Sequence, residues 1–77
     1  MLHNQTIFIE RLLNIMKSNE LTQKKLAALL NINQSSISDL LNGVTLPKFG
    51  TLISISEHFN TSLDYLAGIT ENPEINK

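Results

Sequence analysis

Cysteine is absent from the 77 residues, which excludes a disulfide framework, a thiolate zinc site and a cysteine nucleophile. Only two histidines occur, His3 and His58, far apart and without metal-ligand spacing, so neither a metal nor a cofactor is expected. Charged side chains make up 17% of the chain against 42% hydrophobic, a balance too apolar for a disordered segment and suited to a single folded domain. The apolar runs are only a few residues long, so no membrane span is expected. The N-terminus also lacks a signal-peptide pattern, and a cytoplasmic location is therefore the expectation. No repeat or low-complexity tract interrupts the chain. A chain this short buries only about 60–65% of its unfolded surface, so its core must be efficient.

The near-neutral total hides a gradient. Residues 1–50 carry five basic side chains against three acidic ones, whereas residues 51–77 carry one against four. An anion-binding surface therefore belongs in the first two-thirds of the chain.

The apolar spacing is helical throughout. Phe8, Leu12, Ile15 and Met16 fall on one stripe of a helix over residues 6–18, broken at Ser18-Asn19-Glu20. Thr22 is an N-cap for a second helix to Leu30 with Leu26, Ala27 and Leu30 inward, Asn31 can take the left-handed stop, and Ile32 reads as a buried plug. Asn33 caps a third helix over 34–42, with Ile37, Leu40 and Leu41 apolar and Gly43 ending it. Pro47 precedes a fourth helix over 48–59, with Phe49, Leu52, Ile55 and Phe59 inward and Asn60 at its end. Ser62 caps a short fifth helix, Leu63 to Ala67, which Gly68 ends. The fold class is all-α. The domain occupies residues 6–68, between an N-terminal tail (1–5) and a C-terminal tail (69–77).

Helices two and three are joined by three residues, which forces a steep crossing, and Ala27 lets the two approach closely. With that turn in place, Leu21-Thr22-Gln23, Leu26-Ala27, Ile32 to Ser38, Asn42-Gly43, Pro47 and Ser62 to Leu66 follow in order. This series resembles the phage repressor/Cro-like (XRE) helix-turn-helix family over about residues 7–68. The resemblance implies a five-helix, lambda-repressor-like domain with its helix-turn-helix at about residues 22–42. It also implies sequence-specific binding of double-stranded DNA, with the third helix in the major groove.

The side chains suit that role. With Ile37 and Leu40 inward, Gln34, Ser35, Ser38 and Asp39 project outward as base-reading candidates. Gln34 can pair with adenine, serine can donate or accept, and Asp39 can accept from the cytosine amino group. By family position Gln23, Asn42 and Thr45 contact phosphates, with Lys24, Lys25 and Lys48 adding charge.

The sequence also departs from the family. Lys25 stands where an acidic residue often closes a capping box. The loop Val44-Thr45-Leu46 lacks the usual basic residues. Met16 and Leu41 replace a frequent arginine–glutamate pair and are expected to touch. Weak basicity makes a homodimer on a palindromic operator the expected binding form, and the resemblance implies a repressor of transcription. Tyr65 and Ile69 are the interface candidates, while Phe59 and Leu66 belong to the core. The alternative is a protein-interaction module, such as an antitoxin or phage-type regulator, binding a protein partner through Leu13, Val44 and Leu46. An enzyme is not expected, because His58 beside Glu57 has no nucleophile or carboxylate cluster to work with.

Overall fold

The computed structural model describes residues 3–75. Five helices follow one another: α1 (His3–Ser18), α2 (Gln23–Leu30), α3 (Gln34–Leu41), α4 (Phe49–Phe59) and α5 (Leu63–Leu66). Each supplies one large side chain that is almost or wholly sealed from solvent: Leu12, Leu26, Ile37, Ile55 and Leu66. These five meet in a single cluster, joined by Phe8, Met16, Ala27, Leu30 and Leu40. The fold is therefore one aliphatic knot tied from every helix, worth about 1.5–3 kcal/mol per fully buried side chain before chain entropy is counted.

One device ends all five helices. Glu20, Asn31, Gly43, Asn60 and Gly68 are the positive-φ residues of the described chain, at φ 54°, 56°, 74°, 50° and 81°. After each, an amide turns back to a carbonyl five residues earlier: Leu21 to Met16, Ile32 to Ala27, Val44 to Asp39, Thr61 to Ser56 and Ile69 to Asp64. This Schellman geometry satisfies carbonyls that a helix end leaves without partners. Asn31, Gly43, Asn60 and Gly68 were expected to stop helices, but Glu20 is the wrong residue type for a left-handed position. It also places a negative charge at the negative end of α1. Replacing Glu20 with glycine is expected to raise stability by about 0.5–1 kcal/mol, read as a higher denaturant midpoint with an unchanged slope. An unchanged or lower midpoint would show that Glu20 is not strained.

Several expectations need correction. Helix α1 is described from His3, three residues ahead of the expected start at residue 6, with His3–Gln5 forming a polar turn before the apolar stripe. Asn4 Nδ2 donates to Ala67 O (2.5 Å) and Gln5 Nε2 to Gly43 O (3.1 Å), so these residues of the expected N-terminal tail are tied to the domain. Positions 1 and 2 of that tail, and positions 76 and 77 of the C-terminal one, lie outside the described residues. The C-terminal segment also folds back, with Ser62 N donating to Pro73 O at 2.8 Å. Phe49, placed inward by its spacing, is 74% exposed, because α4 begins there and turns only its later residues to the core. Ile32 is half-buried rather than a sealed plug. Asn33 has the N-cap backbone conformation, but its side chain makes no cap hydrogen bond.

Arg11 clasps the opposite end of the molecule. Its guanidinium donates to Tyr65 O and to Thr70 O (2.7 Å) and lies 4.0 Å from the centre of the Tyr65 ring. Gly68 allows α5 to close on α1, since a Cβ there would stand 3.0 Å from Ile7 Cδ1. Met16 is buried in the core cluster and Leu41 is half-buried against it, so both positions are part of the apolar packing.

Candidate nucleic-acid interface

Two helices of eight residues each, α2 and α3, pack on one another across Asn31–Asn33. Thr22 Oγ1 accepts from Lys25 N at 3.1 Å and sets the start of α2. Only this half of a capping box forms, because Lys25 offers no carboxylate to return the bond. At the other end Asn31 turns left-handed and its neighbour Ile32 closes back onto Ala27 O (3.0 Å), the tight exit that starts α3 in a new direction.

The rotation of α3 is set by Ile37 and Leu40, at 0% and 5% exposure. With that side fixed in the core, Gln34 and Ser35 are exposed on the first turn. Ser38 and Asp39 are half-buried one turn later. Ser38 Oγ accepts from Asn42 Nδ2 at 3.3 Å, which couples a base-reading candidate to a phosphate-contacting one. Asp39 shares a groove of about 290 Å³ with Ser36, Thr45 and Lys48, over a floor that includes Ile32 and Leu40. The outer side of α3 and the α3–α4 connection thus share one continuous surface.

The other candidates divide by exposure. Asn42, Thr45 and Lys48 are all exposed, and Lys48 holds the N-cap position of α4 without a side-chain cap bond, so its ammonium is left to solvent. Lys24 and Lys25 are exposed on the first turn of α2, while Gln23 is half-buried. Arg11, counted above among the positive charges of the first two-thirds, faces α5 instead, leaving lysines to supply the charge near α2 and α3. Ile69 is 72% exposed, whereas Tyr65 is half-buried with one ring face under Arg11. His58 is exposed, and its Nδ1 pairs with Ser54 O of its own helix at 3.0 Å.

Two residues escaped the sequence reading. Asn33 was assigned to capping, yet its side chain is exposed and uncapped at the leading edge of α3, where an amide could reach a base. Gln5 was placed in a tail, and no local signal could have found a partner 38 residues away. The apolar side chains Val44 (69%) and Leu46 (58%) are exposed as expected, and Phe49 joins them in sequence on the α3–α4 connection. Among the described residues no three His, Asp or Glu side chains gather as metal ligands, and no helix is long and apolar enough to cross a membrane.

Comparison with known families gives a match to the model described as Helix-turn-helix, over residues 12–66. No curated protein matches the chain, and no solved structure does.

Proposed function

We infer function from one premise: the chain belongs to the phage repressor/Cro-like (XRE) helix-turn-helix family, whose members are DNA-binding regulators. We propose that it is a sequence-specific transcriptional repressor that binds a palindromic operator as a homodimer. The observation that carries this reading is the open first turn of α3. Gln34 and Ser35 are in solvent while Ile37 on the same helix is sealed in the core, so the polar side is held rigidly outward.

In this reading α3 lies in the major groove, with Gln34, Ser35, Ser38 and Asp39 reading base edges. Gln23, Lys24, Lys25, Asn42, Thr45 and Lys48 hold phosphates on either side. About three to five such contacts per protomer give only modest affinity at physiological salt. Two protomers on half-sites about one helical turn apart multiply it. Ile69, with the free face of Tyr65, is the proposed dimer contact.

Selection of duplexes from a random pool, followed by titration at several salt concentrations, tests the reading. Gln34→Ala is expected to cost about 1–3 kcal/mol and to relax preference at one base pair. Lys48→Ala is expected to weaken all duplexes alike and to lower the salt slope by about one. A wild-type chain that enriches no duplex would end the proposal.

The exposed run Val44, Leu46 and Phe49 favours a second reading, in which an apolar protein partner binds the α3–α4 connection. Salt separates the two, since binding to duplex falls steeply with ionic strength and apolar association hardly responds.

A further inference from the structure

The α3–α4 connection, residues 42–48, has little of its own to hold it in place. The Schellman bonds at the end of α3 fix Gly43 and Val44, and Thr45 N reaches Asp39 O only at 3.5 Å. Beyond that point the next backbone bond shown is Leu52 N to Lys48 O, already inside α4. Packing adds little, because Val44 and Leu46 are mostly in solvent and Pro47 is only half-buried. Yet this segment presents Asn42, Thr45 and Lys48 at fixed places beside α3.

The remaining hold comes from α1. Gln5 Nε2 donates to Gly43 O at 3.1 Å, the carbonyl that the left-handed turn (φ 74°) directs away from the helix. Gln5 stands on a firm base, three residues before the buried Phe8, and Asn4 beside it is bonded to Ala67 O. Gln5 and Phe8 also share a groove of about 220 Å³ with Leu46, Pro47 and Leu52, so the first turn of α1 faces the connection directly.

We propose that Gln5 is a positioning residue for DNA binding: it sets the α3–α4 connection beyond Asn42, which α3 itself holds, and through it the phosphate-contacting Thr45 and Lys48. The inference rests on the DNA-binding reading above, and it adds a determinant of affinity that never touches the nucleic acid. Phosphate contacts set register without reading sequence, so displacing them lowers affinity for every duplex equally. A half-buried, neutral hydrogen bond at the rim contributes little to global stability, so the effect on binding exceeds the effect on folding.

The test uses the full chain, with Gln5→Ala and the equal-length Gln5→Glu, which has no donor at neutral pH. The first measurement is amide hydrogen exchange without DNA. Both variants are expected to exchange faster at Val44, Thr45 and Leu46, with Leu40 in α3 and the melting temperature nearly unchanged. The second is anisotropy titration of the duplex selected by the wild-type chain and of its single-base variants. Both variants are expected to bind about three- to tenfold more weakly, with the order of preference kept and the salt slope reduced. In a Lys48→Ala background the loss from Gln5→Ala is expected to shrink, because part of the contact it positions is already gone. Unchanged exchange at residues 44–46 overturns the positioning role, as does wild-type affinity in both variants. A loss identical in the two Lys48 backgrounds, or a changed base preference, overturns it too. Faster exchange in variants of a wild-type chain that binds no duplex counts against the DNA-binding reading instead and leaves the mechanical link standing.

Discussion

Ile37→Ala is expected to destabilise the domain by about 2–5 kcal/mol, the cost of removing a large buried aliphatic side chain and leaving its space unfilled. A chain of this length has a total stability of about 4–12 kcal/mol, taking about 0.05–0.15 kcal/mol per residue, so the variant stands near the edge of unfolding. Ile37 is the sealed contribution of α3 to the five-helix cluster, with 0% of its surface exposed. Its neighbours in the cluster, Leu12, Leu26, Ile55 and Leu66, are equally enclosed, so the gap opens at the centre of the core. The conservative Ile37→Val is expected to cost only about 0.5–1.5 kcal/mol. Thermal unfolding followed by circular dichroism measures both. The comparison with Gln34→Ala is informative, because Ile37→Ala should lose DNA binding together with helix content, and Gln34→Ala should only weaken it, with helix content intact. A full-strength unfolding transition in Ile37→Ala would mean that α3 is rotated differently, which would put a different side of it toward DNA.

Arg11→Ala is expected to cost about 2–3 kcal/mol. The guanidinium donates to the carbonyls of Tyr65 and Thr70 and lies over the Tyr65 ring at 4.0 Å. Hydrogen bonds from a charged donor contribute about 1.5–3 kcal/mol and a cation–π contact about 0.5–1 kcal/mol where solvent is near, and the sum is reduced because Arg11 is only part-buried. The loss should fall on α5, a four-residue helix with little stability of its own. Arg11→Lys is expected to recover part of the loss, since an ammonium can donate to both carbonyls but has no planar face to lay on the Tyr65 ring. Urea denaturation gives the size of the effect, and hydrogen exchange at Leu66 and Ala67 locates it. Equal midpoints for Arg11→Ala and the wild-type chain would show that the clasp contributes nothing.

What could be read locally was read well. Thr22 and Ser62 accept from the amides of Lys25 and Tyr65, three residues on, and Asn31, Asn60 and Gly68 take left-handed conformations. Each of these depends on chain neighbours within about five residues, and a side chain's type is enough to declare it. The apolar stripes gave Leu12, Leu26, Ile37 and Ile55 as inward for the same reason, a period that any helix must obey. The exposed polar side of α3 was locally readable too, because turning Ile37 and Leu40 inward leaves Gln34 and Ser35 in solvent.

Where the local rules failed, a distant contact or a helix end intervened. Phe49 has the right spacing for the core but sits at the first residue of α4, ahead of the packed part of the helix. Asn33 has the right residue type and backbone for a cap, yet its side chain points elsewhere. His3–Gln5 have no apolar period to announce them, yet they are helical, and Asn4 and Gln5 bond carbonyls 63 and 38 residues away.

Taken by itself, the chain of residues determined that there would be helices, where most of them stop, and which side of α3 stays polar, because those choices are made between near neighbours. Only the tertiary structure decided that Arg11 would hold α5 rather than face an anion, that Phe49 would be left in solvent, and that Gln5 would brace the connection after α3. A hydrogen-bond donor does not name its acceptor in advance; the packing of five helices on one core chooses which carbonyl arrives within reach.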